Sequence, residues 1–129
     1  MKRALVIDDE QLLLDLLAHL LSQSGFDVDR AIDSAEAAGK LKEETYDVIF
    51  LDMKMPVMDG RAFYLKIREW FPEMAKRVIF ITGDLASQDT LRFIEGTGNL
   101  HLEKPFAIRD FRALLEKFSV KDQTAAEPL

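Results

Sequence analysis

Val48-Ile49-Phe50-Leu51-Asp52 is an unbroken apolar run that stops at a carboxylate, and the rest of the chain can be read outward from it. Three other runs stop in the same way. ALVI (4–7) ends at Asp8-Asp9, VIFI (78–81) at Thr82, and LHLE (100–103) at Lys104-Pro105. Short apolar runs separated by helical patterns are the mark of buried parallel strands. Ligand groups in such sheets gather at the carboxyl ends of the strands. Three acids, a hydroxyl and an ammonium are therefore expected at one point.

Helical spacing fills the intervals. Leu13, Leu16, Leu17 and Leu20 keep i, i+3, i+4, i+7 spacing, with Gln11, Asp15, His19 and Ser22 opposite and Gly25 as the stop. Phe26 to Arg30 alternates apolar and charged residues, as a half-solvated edge strand does. Ser34 is expected to cap a second helix running to about Glu44, and Asp59 a third that ends at Pro72. Phe63, Ile67 and Trp70 share a face of that third helix. Ser87 caps a fourth that stops near Gly96, and a fifth carries Ile108, Phe111, Leu114, Leu115 and Phe118 on one side.

Three wholly apolar strands belong in the centre and the two alternating ones outside. With right-handed crossovers this gives an α/β fold, a doubly wound five-stranded parallel sheet of order 2-1-3-4-5. One domain is expected over residues 1–118. Beyond it the apolar spacing lapses, and 119–129 reads as a flexible tail.

Composition narrows the function. The 129 residues carry a net charge of -6 and no basic stripe, which argues against direct binding of nucleic acid or an anionic membrane. There is no cysteine, so the fold needs no disulfide. The first ten residues have too few apolar residues for an expected signal peptide, and no run approaches the ~18 apolar residues of a membrane span. A cytoplasmic location is the default. Met53, Met55 and Met58 are read as packing residues.

Asp8, Asp9 and Asp52 at adjacent strand ends would repel one another by several kcal/mol in a partly dry cleft. A bound cation relieves that repulsion. Mg²⁺ takes oxygen ligands and uses one or two carboxylates with phosphate oxygens, and the carbonyl of Lys54 is a further candidate ligand. Asp52 then suits a nucleophile toward phosphorus, Lys104 a point charge on the phosphoryl oxygens, and Thr82 a hydroxyl donor. Each residue also has a plainer reading: Asp9 as a helix cap, Thr82 as a strand former, Lys104 as a surface lysine, and Asp52 as a strand terminator. His19, on a polar helix face without a second histidine, is read as solvated.

VIDDE, VIFLDMKMPVMDG, FITGD and LEKPF resemble, in order and spacing, the receiver (response-regulator) domain of two-component signalling, over about residues 2–118. The Asp-x-x-Met-Pro-x-Met-Asp-Gly run (52–60) and Lys-Pro-Phe (104–106) are its specific motifs. FITGD with EGTGNLHLEKPF is similar to receivers at the C-termini of hybrid histidine kinases. The resemblance implies the flavodoxin-like (βα)5 receiver fold, with Mg²⁺ on Asp8 and Asp9. Asp52 would take a phosphoryl group from the phosphohistidine of a histidine kinase or histidine phosphotransfer protein. Thr82 and Lys104 would contact the phosphoryl oxygens, and the Lys104–Pro105 bond would be cis. The resemblance further implies a switch in which Thr82 and an aromatic on the fifth strand move together. That position is His101 here, a departure from the family, and it reads either as a part of the switch or as a solvated edge histidine. Gly83 would leave room beside the phosphoryl group, and Lys54 and Asp84 would set the lifetime of the phosphorylated form.

Leu12 or Leu14 is expected to pack on the phosphodonor's helices. A downstream protein would dock on the face made by the fourth helix, fifth strand and fifth helix. No output domain is expected within these residues, so the chain is expected to signal by protein contact or to be a piece of a hybrid kinase.

Other readings fit less well. A haloacid-dehalogenase-type phosphatase needs an acid where Lys54 stands. An FMN carrier needs a hydroxyl- and glycine-rich loop where Asp8-Asp9-Glu10 stands. A receiver that binds partners without being phosphorylated is the remaining alternative. The phosphoaccepting reading implies a domain that catalyses only its own phosphorylation and dephosphorylation and turns over no external substrate.

Overall fold

The computed structural model describes residues 2–55 and 57–126. Strands β1 (Lys2–Ile7), β2 (Phe26–Ala31), β3 (Val48–Asp52), β4 (Val78–Thr82) and β5 (His101–Glu103) form one parallel sheet of order β2-β1-β3-β4-β5, as the apolar runs predict. Helices α1 (Gln11–Gln23), α2 (Ser34–Glu43), α3 (Gly60–Trp70), α4 (Gln88–Thr97) and α5 (Ile108–Ala126) connect and cover it. A single helical turn, Pro72–Ala75, follows α3.

Side chains alternate across each central strand, so the core has two halves. Leu5, Ile7, Ile49, Leu51 and Phe80 pack with residues of α2, α3 and α4. Val6, Phe50, Ile79 and Ile81 pack with residues of α1 and α5 on the other face. Both faces of β3 and β4 are buried throughout, which is why those strands read as continuous apolar runs. Remote from the strands' carboxyl ends, the Tyr46 hydroxyl donates to Asp29 at 2.7 Å, and Arg3 donates to the same carboxylate at 3.0 Å.

Several local expectations change. The buried face of α1 is Leu14, Leu17, Ala18, Leu20 and Leu21, whereas Leu16 is 40% exposed. The stripe is turned by about one residue because leucines flank it on both sides. Leu14 is thus a core residue, and of the two docking candidates only Leu12, at 86% exposure, is free to meet a partner. Asp33, not Ser34, caps α2, its carboxylate accepting from the Glu36 amide at 2.8 Å. Asp59 and Ser87 cap α3 and α4 as expected. Pro72 opens the extra turn after α3, at a position that needs no amide donor. Trp70 lies at the end of α3 beyond the core, 51% exposed, with the Lys66 ammonium over its ring. The last helix does not stop at Phe118 but continues to Ala126 through most of the expected tail; residues 127–129 lie outside the described residues.

Candidate functional site

The carboxyl ends of β1, β3, β4 and β5 bring Asp8, Asp9, Asp52, Thr82 and Lys104 to one edge of the sheet. Asp8, Asp52 and Thr82 are buried, whereas Asp9 is exposed. Carboxylate oxygens of Asp8, Asp9 and Asp52 all lie within 4.8 Å of one another. The Lys104 ammonium is 3.3 Å from Asp52 Oδ2 and 3.8 Å from Asp8 Oδ2. The Lys104–Pro105 peptide is cis.

Backbone donors aim the two buried acids. Asp8 Oδ1 accepts from the Glu10 amide at 2.9 Å, and Asp52 Oδ1 from the Lys54 amide at 3.1 Å. Each carboxylate thereby closes a turn two residues on, which holds it at the strand end. Thr82 Oγ1 likewise accepts from the Asp84 amide at 3.0 Å, leaving its hydroxyl proton for another acceptor. The Lys104 amide donates to the Thr82 carbonyl at 2.8 Å, which ties the lysine to β4. Asp9 caps nothing: the residue at the start of α1 is Glu10, and no side chain caps that helix. The capping reading of Asp9 therefore fails.

Gly60 explains why the motif ends in Asp-Gly. A Cβ there would lie 2.3 Å from the Asp52 carbonyl oxygen and 2.7 Å from Met53 Cα. Only a glycine lets the first turn of α3 press against the end of β3. Gly83 is different. A Cβ there would meet only Lys104 Cβ, at an ordinary 3.8 Å. Met53 and Met55 fill the core beneath the loop, as expected for packing residues.

Asp8 is the electrostatic weak point. Burial pushes its carboxyl up from 3.8 to about 7, opposed by the Glu10 amide and reinforced by the charge of Asp52. Its Oδ2 is buried without a hydrogen-bond partner, and the lysine at 3.8 Å stands beyond hydrogen-bond reach. An orphaned carboxylate oxygen beside two further carboxylates is a donor set that fits a hard divalent cation such as Mg²⁺.

Folded protein holds a proton on Asp8 that unfolded chain releases, so this group's contribution is full below about pH 4 and lost as pH rises through about 7. The thermal midpoint of metal-free protein should accordingly fall across that window. Mg²⁺ bound in the proton's place should flatten the profile, and so should Asp8→Asn without metal. A metal-free profile unchanged by Asp8→Asn would contradict the assignment.

An open cleft of about 580 Å³ lies beside the centre, with Asp9, Lys54, Thr82 and Asp84 in its wall. Arg61 and Thr90 also line it. Neither stands at a strand end or in a specific motif, so neither is marked in the sequence. His101 sits away from the cleft on β5, half-buried, and pairs in register with Phe80.

Fold and site together define a doubly wound α/β protein whose carboxyl edge carries an acidic, lysine-flanked centre. The chain belongs to the response regulator receiver domain family, whose model matches residues 4–116. Phosphoryl acceptance in two-component signalling is that family's role, and histidine kinases are its phosphodonors. The chain is 30% identical over 125 residues to the alkaline phosphatase synthesis transcriptional regulatory protein PhoP of Bacillus subtilis, covering 97% of this chain and 51% of that protein. It is 29% identical over 124 residues to hybrid signal transduction histidine kinase L of Dictyostelium discoideum, covering 90% of this chain and 7% of that protein. A CheY-like receiver domain protein from Methanospirillum hungatei superposes with a TM-score of 0.87 at 26% identity, covering 98% of this chain and 99% of that one. The chain thus spans about half the length of the regulator it matches and a small part of the hybrid kinase. Among the described residues no helix is long and apolar enough to cross a membrane.

Proposed function

We propose that Asp52 accepts a phosphoryl group from the phosphohistidine of a histidine kinase or histidine phosphotransfer protein, in a Mg²⁺-dependent reaction. The observation that carries this reading is the Lys104 ammonium 3.3 Å from Asp52 Oδ2, beside two further carboxylates. Asp8, Asp9, Asp52 and the Lys54 carbonyl would hold the ion, which when bound offsets the negative charge gathered on the transferring group.

The chain's own residues do the rest. The Lys54 amide holds Asp52 Oδ1 at 3.1 Å, so the other oxygen faces Lys104 and is the one presented to phosphorus. Lys104 moves from that oxygen onto the oxygens of the arriving group, and Thr82 turns its hydroxyl proton toward another of them. No general base is needed, because Asp52 attacks as a carboxylate. Water later hydrolyses the acyl phosphate, with access governed by Lys54 and Asp84 in the cleft wall. The domain thus catalyses only its own phosphorylation and dephosphorylation.

Thr82 and His101 are assigned to the switch, with His101 in the place of the family's aromatic. The downstream partner docks on the α4-β5-α5 face, and Leu12 on α1 meets the phosphodonor. We take residues 1–118 as the receiver unit and the cell interior as its location.

Incubation with Mg²⁺ and acetyl phosphate, followed by intact mass measurement, tests the assignment. Wild type should gain one labile phosphoryl group, and Asp52→Asn or omission of Mg²⁺ should abolish it. An adduct that survives Asp52→Asn would place the nucleophile elsewhere. No adduct on wild type would favour the binding-only module.

A further inference from the structure

Arg61, in the first turn of α3, is the one cation of the cleft with a planar fork of donors. Its guanidinium lies over the Phe93 ring of α4, with Cζ 4.8 Å from the ring centroid. Phe93 is itself braced by Tyr64 and Phe80, with ring centroids 5.9 Å from each. Tyr64 and Phe80 are core residues. The arginine therefore rests on a fixed aromatic platform that orders it while leaving its in-plane N–H groups unused. Asp59 and Asp84 share the cleft, yet Arg61 forms no ion pair among the described residues. Lys104, by contrast, is already engaged with Asp52 and Asp8.

Phosphoryl transfer runs in line, so the leaving group points away from the attacking oxygen. Asp52 is buried, and its neighbours Asp9 and Thr82 line the same cleft as Arg61, so the cleft is the exit assigned to the leaving group. The geometry points to Arg61 as a specificity residue that receives the departing carboxylate of acyl phosphate donors. This rests on Asp52 as the acceptor. With acetyl phosphate, an Asp52 oxygen forms its bond to phosphorus while the bridging P–O bond breaks. Acetate leaves with the electron pair and no proton is transferred. Carboxylate and guanidinium match as a two-point pair, and the attraction grows as negative charge builds on the leaving oxygen. A donor whose leaving group departs neutral gains nothing from Arg61.

The test compares two small donors on Arg61→Met, which keeps an unbranched side chain over Phe93 without charge. Second-order rate constants for phosphorylation are measured with acetyl phosphate and with phosphoramidate, which releases neutral ammonia. Arg61→Met should lose about tenfold or more with acetyl phosphate. It should keep the wild-type rate with phosphoramidate and the wild-type rate of dephosphorylation, and Arg61→Lys should recover part of the loss. Equal losses with both donors would reduce Arg61 to a structural contact and overturn the inference, as would no loss with either. If wild type accepted no phosphoryl group from either donor, Asp52 as acceptor would fail and this inference with it. An adduct on Asp52 that forms from acetyl phosphate at a rate independent of Arg61 would sink only the inference.

Discussion

Lys104→Met is expected to slow phosphorylation of Asp52 by about a hundredfold or more while tightening Mg²⁺ binding. The two effects have one cause. The ammonium sits 3.3 Å from Asp52 and 3.8 Å from Asp8, so in resting protein it partly neutralises the carboxylates that a cation needs. Removing it makes the pocket more negative, and calorimetric titration with Mg²⁺ should show higher affinity. In the transition state the same charge belongs on the transferring phosphoryl group, and methionine supplies none. A solvated surface lysine would give neither effect. If affinity and rate fell together, the substitution would have disturbed the pocket as a whole.

Gly60→Ala should be among the most damaging small substitutions in the chain. Its methyl would have to lie 2.3 Å from the Asp52 carbonyl oxygen and 2.7 Å from Met53 Cα, both backbone atoms that cannot swing aside. The first turn of α3 must back away, straining the Gly60 amide bond to the Met53 carbonyl, now 3.0 Å. Overpacking of this kind costs about 1–3 kcal/mol, or roughly 10 °C in thermal midpoint for a domain of this size. Phosphorylation should fall as well, because the displaced loop carries the Lys54 amide that aims Asp52. Gly83→Ala is the control. Its new methyl meets only Lys104 Cβ at 3.8 Å, so stability should stay near wild type.

How far the chain could be read in advance depended on what each pattern measures. β3 and β4 are buried on both faces, as is β1 from Ala4 to Ile7, so every residue from Val48 to Leu51 and from Val78 to Ile81 had to be apolar. Once those strands were placed, the residues after them fell together at one edge. The site at 8, 9, 52, 82 and 104 was legible for that reason. α1 was less legible. With leucine at 12, 13, 14, 16, 17, 20 and 21, two adjacent stripes satisfy helical periodicity, and the choice between them is made by what the sheet presents.

End effects were also hidden. Trp70 keeps the spacing of Phe63 and Ile67, but it lies where α3 runs past the core. Ser34 and Asp33 are both good caps, and the backbone reaches the extended cap conformation at Asp33, with φ -154 and ψ 175. Val57 could not be foreseen at all. A β-branched residue at φ 69 is strained, and nothing in the local sequence marks it. Arg61 acquires meaning only through its contact with Phe93, some thirty residues away in the chain.

The most direct measurement is to treat the freshly phosphorylated protein with borohydride, which reduces an acyl phosphate to the alcohol, and to sequence the peptides by mass spectrometry. Homoserine at position 52, dependent on both Mg²⁺ and donor, is the predicted result. Homoserine at any other aspartate, or a phosphoryl group that resists reduction and maps to a hydroxyl or imidazole side chain, would contradict the role given to Asp52.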